Sequence, residues 1–341
     1  MSREISSTMS VDAGERGERG EREVPPIPRM PFRRYVQQFA MLMALGLIII
    51  ITSTLSPNFF TTANILNVAR QIALTAILGA GMTVIIISGG IDLSVGGVLA
   101  LGSAVIANTL IATGNIWLAV LAGIATGALV GLGNGIIIAK LKIQPFIVTL
   151  AAMTITRGVV LIYTNAVPIS LLKYPDFAFF GQGYVGPIPF PIILMVFSYL
   201  LTFLLMRKTK FGRYVFAIGG NETATRIAGV PVDRYKILIY VFSGALVGLT
   251  AVMFTSRLLS GSPTIGVGFE LTAITMVILG GTSFVGGQGT VWGTLVGAAI
   301  LGVLANAMNL LNVSAFFQDL STGVVILIAV IIDKLLRQER V

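Results

Sequence analysis

The side chains best suited to chemistry lie in two glycine-rich interruptions of otherwise apolar sequence. The first, Ser88–Gly97, holds Asp92 and Ser94 between two Gly-Gly pairs; the second, Gly280–Gly289, holds Thr282, Ser283 and Gln288. Glycine lets a helix unwind and restart, and backbone freed at membrane depth must be buried in protein or line a cavity. A carboxylate at a helix centre costs about 2.5–3.5 kcal/mol on insertion scales, so Asp92 needs a function or a partner there. Two compatible roles follow: capping the helix that restarts after it, whose N-terminus carries partial positive charge, and lining a substrate pathway. The hydroxyls and amide of the second break suit a neutral polyhydroxylated cargo and equally suit helix–helix hydrogen bonding.

Covalent chemistry is largely excluded. The chain has no Cys and no His, which removes disulfides, Cys or His metal sites and triads built on either residue. Gly181–Gly186 matches G-x-G-x-x-G, but Pro187 and Pro189 follow where a dinucleotide fold needs a helix. No G-x-x-x-x-G-K-[ST] loop occurs. If ATP powers this protein, a different chain binds it; no cofactor is expected here.

The elements that must hold these breaks are apolar helices. Apolar residues are 55% of 341 and charged residues 11%, against roughly 25% charge in soluble domains. Residues 1–35 carry 13 of the 37 charges. The reading is a polar, disordered tail at 1–34 joined to an all-α integral membrane body at 35–335, with a short C-terminus at 336–341. The first apolar run is about twenty residues long, too long for a signal h-region and expected to stay as a membrane helix. About ten segments approach spanning length: 35–55, 69–88, 94–112, 116–139, 146–164, 188–206, 236–256, 270–285, 290–311 and 318–333.

Basic residues orient the spans. With both termini cytoplasmic, inside loops receive twelve of the sixteen Lys and Arg after position 35; Arg70, Lys173 and Arg257 fall outside, and Arg157 lies within a span. The net charge of +9 therefore reflects topology, and no nucleic-acid partner is expected. The chain is expected to cross a membrane many times, in contact with lipid. The loop 165–187 faces outside and the loop 207–236 faces the cytoplasm.

Two further patterns organise the body. Leu-Thr-Ala-Ile occurs at 74–77 and at 271–274, each copy leading into one of the two breaks. In this topology both run from outside to inside, which suggests two parallel-repeat halves with the substrate path between them. Gly123, Gly127, Gly131 and Gly135 form consecutive G-x-x-x-G steps, with single steps at Gly244/Gly248 and Gly293/Gly297. Such stripes let helix backbones approach closely, and Asn134 can reach the interior from the same face.

Leu55–Phe60, Gly90–Gly96 and the cytoplasmic stretch Phe211–Tyr214, Gly219–Glu222 and Ala224–Gly229 together resemble ABC importer permeases of the ribose type, which are related to branched-chain amino-acid permeases. Gly280–Ser283 and Leu310–Ser314 add to the resemblance, which covers about 35–335 but not the tail. The resemblance implies a non-enzymatic subunit of a bacterial cytoplasmic (inner) membrane that moves a monosaccharide delivered by an external binding protein. It also implies a second permease copy as homodimer partner and a cytoplasmic ATPase carrying ATP and Mg. A short coupling helix is implied at Gly219–Val230, with Asn221, Glu222, Thr225, Arg226 and Gly229 touching the ATPase. The family spacing puts Gly six residues after Glu; here Glu222 and Gly229 are seven apart and Thr223 replaces an Ala. The outer loops would meet the binding protein through Lys173, Asp176, Arg257 and Glu270. Rival cargoes are nucleosides and branched-chain amino acids. An ion-coupled secondary sugar transporter is the rival mechanism, which would require paired ionisable groups in the spans.

Overall fold

The computed structural model describes residues 31–314, 316–318, 320–325, 327 and 331, without the side chains of 31–38 and 40. Most of the expected tail, the tail at 336–341 and much of the segment 318–333 lie outside these residues.

The architecture is helical. In chain order it comprises α1 (Pro31–Leu55), α2 (Thr62–Ile87), α3 (Val95–Thr113), α4 (Ile116–Lys140) and α5 (Pro145–Thr164). After β1 (Ile169–Ser170) come a 3-10 turn (Pro175–Ala178), α6 (Phe179–Gln182) and the hairpin strands β2 (Tyr184–Val185) and β3 (Ile188–Pro189). Next are α7 (Phe190–Lys208), α8 (Lys210–Gly220), α9 (Glu222–Ile227) and α10 (Val232–Leu258). β4 (Ser260–Gly261), α11 (Phe269–Leu279) and α12 (Val291–Leu310) complete the named elements. Among the described residues, seven helices are long and apolar enough to cross a membrane: α2, α3, α4, α5, α7, α10 and α12.

The expected count of ten is therefore reproduced only in part. In α1 the apolar stretch described is Met41–Leu55, and the segment expected at 270–285 is the eleven-residue α11. At 1.5 Å per residue α11 is ~16 Å long, about half the ~30 Å of a hydrocarbon core. Its end is set by sequence: Gly281 adopts φ +78°, its N–H bonding Ile278 O at 2.9 Å while Thr282 N bonds Val277 O at 3.2 Å. This is a Schellman stop. α2 ends the same way, with Gly89 at φ +78° and Gly89 N and Gly90 N bonded to Ile86 O and Ile85 O. The two breaks thus share one stop geometry, although the repeated tetrapeptides stand at different distances from it, 15 residues before Gly89 (89 − 74) and 10 before Gly281 (281 − 271).

Helix α2 is the core. Every residue from Ala76 to Ser88 is buried, and α10, α12, α7 and α11 surround it. A helix apolar on all sides is stable only when enclosed in this way. Tyr199 of α7 donates its hydroxyl to Ala76 O at 3.0 Å, and Thr83 shares a 2.6 Å hydroxyl bond with Thr294 of α12. The glycine stripe of α4 packs along α10, the most extensive helix pair. A Cβ at Gly127 would strike the backbone of Gly244 and Gly248, and one at Gly135 would lie 2.8 Å from Ile237 Cα.

One connection leaves the expected path. After α10 the chain pairs β4 antiparallel with β1, Ile169 opposite Gly261, then runs inward along α3. Gly261 sits against Ala107 and Gly266 against Gly96, eleven residues apart on α3 (107 − 96), or ~16 Å of descent. α11 therefore starts within the bundle.

Candidate functional site: the helix breaks, the short capped helix and the loop end

Asp92 is 3% exposed. Its Oδ1 accepts from the Ser94 N–H at 2.8 Å and from the Ser94 hydroxyl at 2.5 Å, and Asn134 Nδ2 of α4 donates to Ser94 Oγ at 3.0 Å. Three of the expected pathway residues are thus one buried network. It joins the start of α3 to α4, and Tyr240 of α10 donates to Ile91 O at 3.0 Å beside it. Ser94 occupies the N-cap position without a side-chain cap bond of its own; the carboxylate two residues earlier takes the N–H instead, as an Asx-type turn does. In this conformation Asp92 faces protein.

The second break is more open. Thr282 and Ser283 are buried and Gln288 is exposed. Thr282 Oγ1 is enclosed with no hydrogen-bond partner among the described residues, while Ser283 N bonds Gln288 O at 3.0 Å.

The two breaks meet. Gly287 N donates to Ile87 O at 2.8 Å, and a Cβ on Gly286 would lie 2.9 Å from Gly89 N. Gly219, one residue before the end of α8, is seated against the same groups: a Cβ there would strike Ile87 O and lie 2.6 Å from Gly287 N. Only glycine permits that approach. The sequence reading used Gly219 as a boundary marker and missed its contact with both breaks.

α9 follows directly and is fixed at both ends. Asn221 caps it, its Oδ1 accepting from Ala224 N at 2.9 Å. Gly229 closes it at φ +83°, with Val230 N bonded to Thr225 O at 3.3 Å. Thr225 is buried and donates to Asn221 O and Ala217 O at 2.7 and 2.9 Å. Glu222 is held by Lys236 at 2.6 Å and Arg226 at 3.3 Å, and Arg226 also bonds Asp233 at 2.8 Å. Burial pushes the Glu222 carboxyl up, but the hydrogen bond and charge of Lys236, then of Arg226, outweigh it and hold the group below its ordinary value. The hydrogen bond to Asp233, then that to Glu222, raises the Arg226 guanidinium. These charges thus orient α9 on α10. α9 and its C-cap present outward Thr223, Ala224, Arg226 and Ala228 together with Ile227, which is 83% exposed. Ile227 was not singled out from the sequence; a lone apolar residue in a polar loop gives no periodic signal.

At the opposite end, Lys173 and Asp176 are exposed. Arg257 is half-buried, its Nη2 reaching Asn67 at 3.5 Å and its carbonyl accepting from Gln182 at 2.8 Å. Arg70 bonds Tyr184 and lies 4.8 Å over its ring. Gly181–Gly186 is α6 and a hairpin turn here, not a strand–loop–helix nucleotide cradle. Glu270, expected at this rim, is elsewhere: the inward run of the 259–268 segment carries it beside Gly96, with Oε2 enclosed. The reason is tertiary, since β4 pairing and the left-handed Gly266 and Gly268 (φ +75° and +80°) turn the chain into the bundle.

Comparison with known proteins identifies a family. The chain is 46% identical over 308 residues to the ribose import permease protein RbsC of Bacillus subtilis (90% of this chain, 95% of that protein). It is 44% identical over 304 residues to RbsC of Escherichia coli K12 (88% and 95%). To the L-arabinose transport system permease protein AraH of the same strain it is 40% identical over 305 residues (89% and 92%). These relatives are permease subunits, transport components rather than enzymes. The family model described as branched-chain amino acid transport system / permease component matches residues 64–332, and the chain belongs to that family of membrane permeases.

Proposed function

We propose that this chain is the membrane subunit of an ATP-driven importer that moves a monosaccharide, ribose or a similar pentose, received from an external binding protein. The observation that carries the reading is α9. It is a six-residue helix capped at both ends, presenting Ile227 and small side chains, with Gly219 behind it seated on both helix breaks. A rigid knob of this kind suits a groove on a separate ATPase, where hydrolysis takes place. The sugar is inferred from what the similar permeases are named for.

In this reading both termini and α9 face the cytoplasm, two copies flank the path, and the two breaks derive from parallel repeats. Asn221, Glu222, Thr225, Arg226 and Gly229 build the coupling helix; Thr225 is buried beneath it, and the exposed Asn221, Arg226 and Gly229 also border its outer surface. Asp92, Ser94 and Asn134 hold the α3 restart, while Thr282, Ser283 and Gln288 border the path. Lys173, Asp176 and Arg257 meet the binding protein, setting register and encounter rate more than affinity.

Reconstitution tests the reading. With its ATPase and binding protein, the chain is expected to concentrate D-ribose only when ATP is present. Concentrative uptake by this polypeptide alone, driven by an ion gradient, would replace the importer with a secondary transporter. Concentration of leucine or a nucleoside but not of a pentose would replace the cargo.

A further inference from the structure

Two ionisable side chains not used above approach each other inside the bundle without joining. Arg157 is in the thirteenth position of the twenty-residue α5 (157 − 145 + 1), and Glu270 is in the first turn of α11. They close tightly around Gly96: a Cβ there would lie 2.2 Å from Gly266 O, 2.5 Å from Glu270 Oε2 and 3.1 Å from Arg157 Nη2. The carboxylate oxygen is therefore at most 5.6 Å from the guanidinium (2.5 and 3.1 Å laid end to end). The guanidinium is engaged elsewhere. Its Nη1 donates to Ile265 O at 2.9 Å and to Pro263 O at 3.3 Å, which fastens the inward-running loop to α5. Glu270 Oε2 is enclosed and has no hydrogen-bond partner among the described residues.

A guanidinium only donates hydrogen bonds and a carboxylate oxygen only accepts them, so the two are natural partners. With Nη1 held on the loop, the guanidinium stops short of Oε2. An enclosed carboxylate oxygen without a donor is unfavourable, more so than a neutral group left unpaired. This conformation thus satisfies the loop carbonyls and strands the carboxylate; the reverse conformation satisfies the carboxylate and frees the loop. Two packings that differ by such an exchange are the bistable element that a conformational switch needs.

The pair also stands at the end of a continuous route. Gly266 O and Arg157 Nη2 both face Gly96, in the first turn of α3, whose start Asp92 holds. Glu270 heads α11, and the other end of α11 is the second break, where Gly287 is pinned to Ile87 and Gly219 is seated on both. One rigid helix of ~16 Å therefore joins the stranded carboxylate to the break that lies against α8.

We propose that Arg157 is a two-position latch. In this conformation it holds the loop at Pro263 and Ile265. When ATP engages the partner ATPase, displacement of α9, carried through the second break and α11, brings Glu270 onto the guanidinium and releases the loop. Both are positioning residues, and neither touches the sugar. The proposal rests on the importer reading above and adds the far end of its coupling route.

Hydrogen exchange of the amides of 264–269 reads the latch, in nanodiscs holding the permease with its ATPase. The comparison is between no nucleotide and Mg with a non-hydrolysable ATP analogue. The parent loop is expected to exchange about tenfold faster with the analogue, having lost its hold on Arg157. E270Q, which offers the guanidinium no anion, is expected to keep the slow rate in both states. R157Q is expected to exchange fast in both. In proteoliposomes with the ATPase and ribose-loaded binding protein, E270Q is expected to lower uptake about tenfold, the loss of one charge-assisted hydrogen bond. A side chain that only supported the fold would shift exchange equally in the two states and leave the nucleotide response intact. A nucleotide response in E270Q equal to the parent's overturns the latch, as does parent-like uptake by E270Q. If either variant fails to assemble with the ATPase, the parent decides alone: exchange at 264–269 that ignores the nucleotide overturns the latch. A parent that concentrates ribose with ATP while its loop exchange stays constant loses the latch only. A parent that concentrates no ribose overturns the importer reading and the latch with it.

Discussion

The backbone N–H of Gly287 donates to the carbonyl of Ile87 at 2.8 Å, pinning the loop of the second break to the last turn of the helix that enters the first. Gly219 presses against both groups, and α9 begins three residues later. Backbone packed on backbone has little compliance, because close-packed interiors transmit strain. Displacement of α9 by a partner is therefore expected to reach both breaks together.

Gly219 and Gly220 separate this idea from ordinary helix stability. A Cβ at Gly219 would strike Ile87 O, whereas one at Gly220 meets nothing within 4 Å. G219A is expected to cost about 1–3 kcal/mol of overpacking and to lower uptake while leaving ATPase binding intact. G220A, in open space at the same helix end, is expected to transport like the parent. Equal uptake by the two variants would remove the junction from the coupling route.

Ile227 is expected to anchor the ATPase. It is 83% exposed, so its replacement costs the permease fold little. If it fills a groove, I227D is expected to weaken the complex by about 2 kcal/mol or more, roughly thirtyfold in Kd. Co-purification or titration of the ATPase measures this. Unchanged affinity would move the contact to another face of α9.

Glu222 gives a pH signature. Its native carboxyl titrates below the ordinary 4.5 because Lys236 and Arg226 outweigh its burial. A depressed native value means that its stabilisation is complete above 4.5 and disappears as pH falls through the native value. In an acid scan of the detergent-solubilised permease, protection of the α9 amides from hydrogen exchange should fall in that window. E222Q should show reduced protection at neutral pH and a flatter profile there. E222R, which sets a like charge against Lys236 and Arg226, should uncouple ATP hydrolysis from uptake. Parent-like profiles in E222Q would mean that the ion pairs contribute nothing to the position of α9.

Much of this was legible in the residues. Apolar runs located the long helices to within four residues, except that α2 begins seven residues before the expected 69–88, and the G-x-x-x-G stripe foretold a close backbone contact of α4, which the structure places against α10. Three things were not. The 270–285 segment read as a span because hydropathy does not register the left-handed stop at Gly281. Glu270 read as a rim residue because the inward run before it depends on β1–β4 pairing, in which Ile169 lies opposite Gly261, ninety-two residues apart in sequence (261 − 169). Arg157 was noticed inside a span, but its neighbour across Gly96 arrives from another element.

Asp92 decides between the two roles that its position allows. At 3% exposure, with Oδ1 serving both the N–H and the hydroxyl of Ser94, it acts here as an acceptor holding the start of α3. D92N keeps a carbonyl oxygen at that place, so it is expected to fold and to transport near the parent rate. D92L removes the acceptor and strands the Ser94 N–H in a buried site, a loss of about 1–3 kcal/mol; thermal melting of the purified permease should show it. If D92N melts like the parent yet carries no sugar, the negative charge itself serves the path and the structural role is insufficient. Loss of folding in D92N as strong as in D92L would mean that the ionised carboxylate, rather than any acceptor, is needed to hold Ser94 and Asn134 together.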